Sequence, residues 1–204
     1  MKKKLIIFDL DGVLFDTKKN MELSWNSVKK KYNLDISFNN YFKLIGQPFY
    51  TILKNLGINI YKKKIFTDYN YFSIKYQNEI KLYKGVKKVI EKLKKKNFIA
   101  VVTSKNKKRT FLLLKKYCLN FHLVSTPNKR LKGKPHPDQI NFVIKNLGAK
   151  KKNTVYIGDT QIDCNAAKKA KIDFIFAKYG YGKIKNPSKF KKISSIKNIL
   201  NHYI

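Results

Sequence analysis

Apolar and polar positions along the chain follow two different periods. Lys4 to Phe8 is a short apolar run that stops at Asp9-Leu10-Asp11-Gly12, which predicts a buried strand entering a turn at Gly12. From about Lys18 to Lys81 the period becomes helical. Met21, Trp25, Val28 and Tyr32 share one face; Tyr50, Leu53 and Leu56 repeat the spacing before Gly57, and Tyr69, Phe72 and Tyr76 repeat it again. Nothing in this stretch reads as a parallel-sheet strand, so it is predicted to be a helical insertion.

Strand–helix alternation then resumes. Val86, Ile90 and Leu93 mark a helix, and Phe98 to Val102 is a buried strand ending at Thr103-Ser104. Arg109 to Tyr117 reads as a helix with Phe111, Leu114 and Cys118 inward, followed by a strand at His122 to Val124 and a loop from Pro127 to Pro137. Ile140, Val143, Ile144 and Leu147 give a helix closed by Gly148. A strand at Thr154 to Ile157, a helix at Cys164 to Lys171 and a strand at Asp173 to Ala177 follow. Beyond Tyr179 the chain is lysine-rich, with one last helix expected from Ser194 to Tyr203. This order predicts an α/β fold with a parallel sheet covered by helices on both faces, and no internal repeat is seen.

Composition changes the picture in one respect. The 204 residues hold 46 Lys and Arg against 12 Asp and Glu, a net charge of +34, yet 43% are hydrophobic, enough for a packed core. Such a charge raises nucleic-acid binding first. Arginine, however, occurs only at 109 and 130, and the lysines are spread from Lys2 to Lys197 in short clusters such as Lys62-Lys63-Lys64. Base and bidentate phosphate recognition lean on arginine, so nucleic acid is disfavoured against a lysine-rich solvated surface. The field still attracts anionic ligands. Two cysteines cannot build a disulfide scaffold, and both Cys118 and Cys164 read as buried small hydrophobes. The charged opening imitates an export signal, but its apolar run stops at Asp9 and no later run could span a bilayer. A cytoplasmic protein without a membrane partner is the expectation.

In so basic a chain the few acids are informative. Four of the twelve fall in two tight pairs, Asp9 with Asp11 and Asp159 with Asp163. Parallel sheets carry their working residues in the loops at the carboxyl ends of the strands. There the chain places Asp9 and Asp11, then Thr103 and Ser104, then Lys134 in a loop, then Gly158-Asp159-Thr160-Gln161-Ile162-Asp163. If these converge, the carboxylates need a cation, and an all-oxygen set suits Mg²⁺. Mg²⁺ with Lys134 would draw in a phosphate and leave one carboxylate free to attack phosphorus, which is metal-assisted phosphoryl transfer.

At these residues the chain resembles a known family. Phe8-Asp9-Leu10-Asp11-Gly12-Val13-Leu14, Val101-Val102-Thr103-Ser104-Lys105, Lys132-Gly133-Lys134-Pro135-His136-Pro137-Asp138 and Ile157-Gly158-Asp159-Thr160 with Asp163 are similar to the four motifs of the haloacid dehalogenase-like phosphohydrolases, in order. Tyr179-Gly180-Tyr181-Gly182 resembles a tail of phosphoglycolate phosphatase-like members, a branch close to the β-phosphoglucomutase-like enzymes. The resemblance implies a Rossmann-like α/β core domain of residues 1–16 and 84–204, with an all-helical cap domain inserted at 17–83. It implies an Mg²⁺-dependent phosphoric monoester hydrolase acting on a small phosphate ester, a phosphoglycolate-like acid or a sugar phosphate, as a monomer or homodimer. By position Asp9 would be the nucleophile, forming an aspartyl-phosphate, and Asp11 the general acid and base. Asp9, the Asp11 carbonyl and Asp159 would hold the metal. Asp163 would support the metal through water or orient Lys134. Thr103, Ser104 and Lys134 would bind the phosphoryl group. Asp11 speaks against true haloacid dehalogenase activity, because those members lack an acid there.

Two alternatives stand beside this: a sugar phosphomutase of the same family, and a non-enzymatic nucleic-acid-binding protein that uses the basic surface. Gly46-Gln47-Pro48 is either a cap loop reaching the substrate or a plain interhelical turn. Lys105 and Arg109 read most simply as a solvated helix start, with a contact to a second anionic group as the alternative. Asp163 can be read as a helix N-cap, His136 as a loop residue, and Asp138 as a first-turn residue suited to the helix dipole. Lys84 and Lys171 stand where relatives often have Pro and a helix-ending Gly.

Overall fold

The computed structural model describes residues 3–203. Strand β1 (Leu5–Phe8) is the centre of a six-stranded sheet in which every neighbouring pair is parallel. A two-residue ribbon follows from β2 (Phe15–Asp16), and then helices α1 (Lys18–Lys31), α2 (Phe38–Phe42), α3 (Phe49–Asn55) and α4 (Lys62–Lys75). The chain returns along β3 (Lys81–Leu82), antiparallel to β2. It continues through α5 (Val86–Lys96), β4 (Phe98–Val102), α6 (Lys107–Lys116), β5 (Leu123–Ser125), α7 (Asp138–Asn146) and β6 (Thr154–Gly158). The last elements are α8 (Gln161–Ala170), β7 (Asp173–Ala177), β8 (Lys191–Ile193) and a short helical tail ending in α9 (Leu200–Tyr203). The sheet order is β5-β4-β1-β6-β7-β8.

The period-two geometry of the strands divides the core. Ile6, Phe8, Ile99, Val101, Val155 and Ile157 face one side and pack on α5, α6 and the tail residues Ile196 and Ile199. Leu5, Ile7, Ala100, Val102 and Tyr156 face the other and pack on α7 and α8. Apolar residues on both faces are what make β1 and β4 unbroken hydrophobic runs in the sequence. A third apolar cluster belongs to α1–α4 alone. Trp25 is fully buried, stacks on Tyr41 at 4.5 Å between ring centroids, and donates from Nε1 to the Ile36 carbonyl at 3.0 Å. Asn20 and Ser73 tie α1 to α4 through two hydrogen bonds of 2.9 and 2.8 Å. No helix among the described residues is long and apolar enough to cross a membrane.

Several sequence expectations need correction. Tyr50 and Phe111 are exposed, because the buried seams are Ile52 with Leu53 on α3 and Thr110, Leu113 with Leu114 on α6. Cys118 is exposed as well: α6 has ended, and the chain reverses there in the left-handed region, which swings the side chain off the helix face. The helix expected at Cys164 begins three residues earlier, at Gln161, capped by Thr160 rather than Asp163. The expected helix from Ser194 is a 3₁₀ turn at Ile196–Ile199 followed by α9, and β8 precedes it.

Lys171 closes α8 with φ +57°, a conformation that costs a residue with a Cβ roughly 1 kcal/mol or more. Its side chain is exposed. Replacing Lys171 by Gly is therefore expected to raise stability by about 0.5–1 kcal/mol, read from urea unfolding midpoints at constant m. An unchanged or lower midpoint would contradict this account of the helix end.

Candidate active site

Because β1 lies between β4 and β6 and all three run the same way, their carboxyl ends open side by side. The Asp9 amide donates to the Ile157 carbonyl at 2.9 Å, carrying the ladder one residue past β1, and the Thr103 amide does the same to Ser125 at 3.1 Å. Asp9, Thr103 and Asp159 thus stand in a row, and the loop before α7 brings Lys134 underneath. Gly12 makes the row fit: it has φ +82°, and a Cβ there would lie 2.3 Å from Asp159 Oδ2.

Lys134 is 1% exposed and is the hub of the charges. Its Nζ lies 2.7 Å from Asp163 Oδ1 and 2.9 Å from Asp9 Oδ1, and donates to the Tyr156 hydroxyl at 3.3 Å. Burial opposes its charge, but Asp163 and Asp9 outweigh burial and hold the ammonium well above its ordinary value. Asp163 has no free capacity: Oδ2 accepts from the Thr160 amide at 3.0 Å and the Thr160 hydroxyl at 2.7 Å, a capping box at the start of α8. Asp163 thus sits against Lys134 with both of its oxygens engaged by protein donors.

Asp159 is different. Its Oδ2 accepts from the amides of Tyr181 and Gly182 at 2.7 and 3.2 Å, while its fully buried Oδ1 has no hydrogen-bond partner among the described residues. Burial, with Asp163 and Asp9 adding repulsion, pushes the Asp159 carboxyl well up. Burial likewise raises Asp9 to about 7 against the pull of Lys134. One oxygen from each of Asp9, Asp159 and Asp163 lies within 4.8 Å of the others. Three buried carboxylates around one ammonium, with an orphaned oxygen among them, fit a hard divalent cation.

Asp11, half-buried, turns to the other side of the cleft, where its Oδ1 lies 3.0 Å from Lys105 Nζ. Thr103 Oγ1 accepts from the Lys105 amide at 3.1 Å, and Ser104 Oγ donates to the Gly46 carbonyl at 2.7 Å. The Gly46 loop therefore seats directly on the site, and Gly46 and Gln47 line the same cleft as Asp9, Asp11 and Lys134. Lys105 and Arg109 also line it, at 5% and 9% exposure, so the solvated helix start is corrected. Helix α4 covers Arg109 with Tyr69 and Asn70. Burial first, then Arg109, lowers the Lys105 ammonium to about 8 against Asp11.

Tyr181 is a site residue that motif reading noted only as part of a tail. Besides its amide on Asp159, its hydroxyl meets Asp16 Oδ1 at 3.0 Å and the amides of Thr17 and Lys18. The alternation Tyr179-Gly180-Tyr181-Gly182 was its one sequence signal. His136 and Cys164 do not line the cleft.

The family model for haloacid dehalogenase-like hydrolases matches residues 6–177. A phosphoglycolate phosphatase of Haemophilus influenzae is 29% identical, with 87% of each chain covered. The pyrophosphatase PpaX of Oceanobacillus iheyensis is 25% identical over 84% of this chain and 82% of its own. Among solved structures, a predicted phosphoglycolate phosphatase from Haemophilus somnus superposes with a TM-score of 0.82 at 26% identity, covering 99% and 98% of the two chains. A hydrolase from Pseudomonas syringae shares the fold, with a TM-score of 0.87 at 23% identity over 98% and 97%.

The charge geometry makes a stability prediction. Removing the buried ammonium in Lys134→Met leaves Asp9 and Asp163 facing each other unpaired, which is expected to cost about 3–5 kcal/mol. Adding Asp9→Asn to that variant is expected to restore about 1 kcal/mol or more, measured by urea unfolding near neutral pH. A Lys134→Met protein as stable as wild type would contradict the hub.

Proposed function

The chain belongs to the haloacid dehalogenase-like hydrolases, and from that premise we propose that it is an Mg²⁺-dependent phosphatase of small phosphorylated metabolites working through an aspartyl-phosphate on Asp9. It is a phosphatase by its family and relatives. One observation carries the finer reading: the Asp9 carboxylate stands in an open cleft beside a buried ammonium, with a second acid, Asp11, two residues on.

In the first half-reaction an Asp9 oxygen forms a bond to phosphorus as the ester oxygen leaves, and Asp11 supplies that oxygen's proton. In the second, Asp11 takes a proton from water, which attacks the same phosphorus and releases inorganic phosphate and free Asp9. Lys105 holds the Asp11 carboxyl toward the cleft. Thr103 through its hydroxyl, Ser104 through its amide and Lys134 through its charge receive the phosphoryl oxygens; one such preorganised donor is commonly worth about 3 kcal/mol in the transition state. Asp9, the Asp11 carbonyl and Asp159 would hold Mg²⁺, with Asp163 acting on Lys134 from behind. The ion supplies neutralising charge for the carboxylates and the incoming phosphate. Residues 17–83 act as a cap over a core of 1–16 and 84–204, and the β2–β3 ribbon is its hinge. Phosphoglycolate-like acids, the substrate class in the name of one group of relatives, and sugar phosphates are the candidate substrates.

Phosphate release from a panel of such esters is expected with Mg²⁺, to vanish with EDTA, and to fall about 1000-fold or more in Asp9→Asn. An Asp9→Asn enzyme at near-normal rate would overturn the mechanism. Isomerisation of a hexose phosphate without phosphate release would replace it with the mutase.

Metal binding should also follow pH. With Asp9 near 7 in the folded, metal-free chain and near 3.8 unfolded, the folded state holds the extra proton between those values. Metal-free stability therefore falls as pH rises from about 4 to about 7, and cation binding, which needs the ionised carboxylates, grows over the same window. Mg²⁺ is expected to raise the thermal midpoint more at about pH 8 than at about pH 5, and the gain should disappear in Asp159→Asn. A pH-independent gain, or one kept by that variant, would contradict the assignment.

A further inference from the structure

The wall of the cleft formed by α6 holds a charge that the phosphatase chemistry does not use. Arg109 is nine-tenths buried, yet no carboxylate lies at ion-pair distance from it among the described residues. Its guanidinium sits over the Tyr69 ring at 5.1 Å, and Nη1 donates at 3.3 Å to the neutral amide oxygen of Asn70. Its Nε is buried with no partner among the described residues. Lys105, four residues before it, shares its only carboxylate, Asp11, with the catalytic side of the cleft. Two buried cations thus face one carboxylate along this wall. The N-terminus of α6 at Lys107 adds its positive end to the same place.

A buried guanidinium with an unused donor is costly unless an anion completes it. We propose that Arg109, assisted by Lys105, is a specificity-determining residue that binds a second anionic group of the substrate, a carboxylate or a further phosphate beyond the scissile one. The inference rests on the phosphatase reading and narrows it, because a sugar phosphate with only neutral hydroxyls leaves Arg109 unpaired. Tyr69 and Asn70 come from α4, so an anion held here would also fasten the helical unit to α6.

Steady-state kinetics with Mg²⁺ on 2-phosphoglycolate, inorganic pyrophosphate and ethyl phosphate test this. The readout is the ratio of kcat/KM for an anion-bearing substrate to that for ethyl phosphate, which cancels any general loss of folded enzyme. Wild type is expected to favour at least one anion-bearing substrate, and Arg109→Gln to reduce that preference about 10–100-fold, chiefly through KM. Arg109→Lys, which keeps the charge without the fork, should fall between the two and carries the test if the glutamine variant does not fold. Whichever of the two substrates loses its preference identifies the second group as carboxylate or phosphate. A wild type without preference, or variants that lower all substrates equally, would overturn the role of Arg109 while leaving the phosphatase reading intact. Absence of phosphate release from every compound would overturn that reading and this inference with it.

Discussion

Three buried carboxylates gathered around one buried ammonium are the constraint on which the rest of this structure depends. Carboxylates within 4.8 Å of one another repel strongly wherever water is excluded, and the chain counters the repulsion in a different way for each. Asp163 is saturated by Lys134 and by both donors of Thr160, so it is structural in its bonding although it sits among the reactive groups. Asp159 is held from one side by two backbone amides and left open on the other. Asp9 has Lys134 alone. The gradient runs from a fully compensated carboxylate to two partly compensated ones, and the latter include Asp9, which lines the cleft. Gly12 at the end of β1 and Tyr181-Gly182 after β7 follow from this, since each exists in its conformation where a side chain or a missing amide would break the arrangement around Asp159.

What was legible in the sequence and what was not follows from the same physics. Strands β4 and β7 could be delimited from the chain alone because their residues are apolar over both faces and are bounded by polar ends. Strand β8 could not, because at the sheet edge only Ile193 is buried and two lysines precede it. The start of α8 was misplaced because a capping box is built from Thr160 and Asp163, residue types that equally make loops. The candidate cluster itself was legible: acids are so rare in this chain that two close pairs at strand ends stand out. Lys105 and Arg109 were only partly legible, for the opposite reason. Among forty-six cations these two offered a second anion contact only as the lesser alternative, because Arg109 is covered by α4, more than thirty positions earlier in the chain.

The lysine surface and the site act on ligands at different ranges. A net charge of +34 draws anions toward the molecule over about a Debye length and cannot tell one anion from another. Discrimination needs donors that have been stripped of water and fixed in place, and the charged ones lining the cleft are Lys134, Lys105 and Arg109. Exposed lysines can be gained or lost with little consequence for chemistry, whereas each buried cation is tied to a particular carboxylate, ring or amide.

The two attachments of the helical unit to the sheet domain are unlike one another in their bonding. On one side the β2–β3 ribbon is pinned by Tyr181, whose hydroxyl engages Asp16, Thr17 and Lys18 while its amide holds Asp159, and whose ring packs on Phe42 at 5.4 Å. The ribbon is therefore tied through Tyr181 to the same carboxylate that carries the orphaned oxygen. On the other side α4 meets α6 through Arg109 with Tyr69 and Asn70, a neutral amide and a ring face around an incompletely paired charge. The contact at α6 is the weaker of the two, because its guanidinium has a ring face and one neutral amide where the ribbon side has a carboxylate and backbone amides. An anion bound at Arg109 would add the missing bond at that weaker attachment.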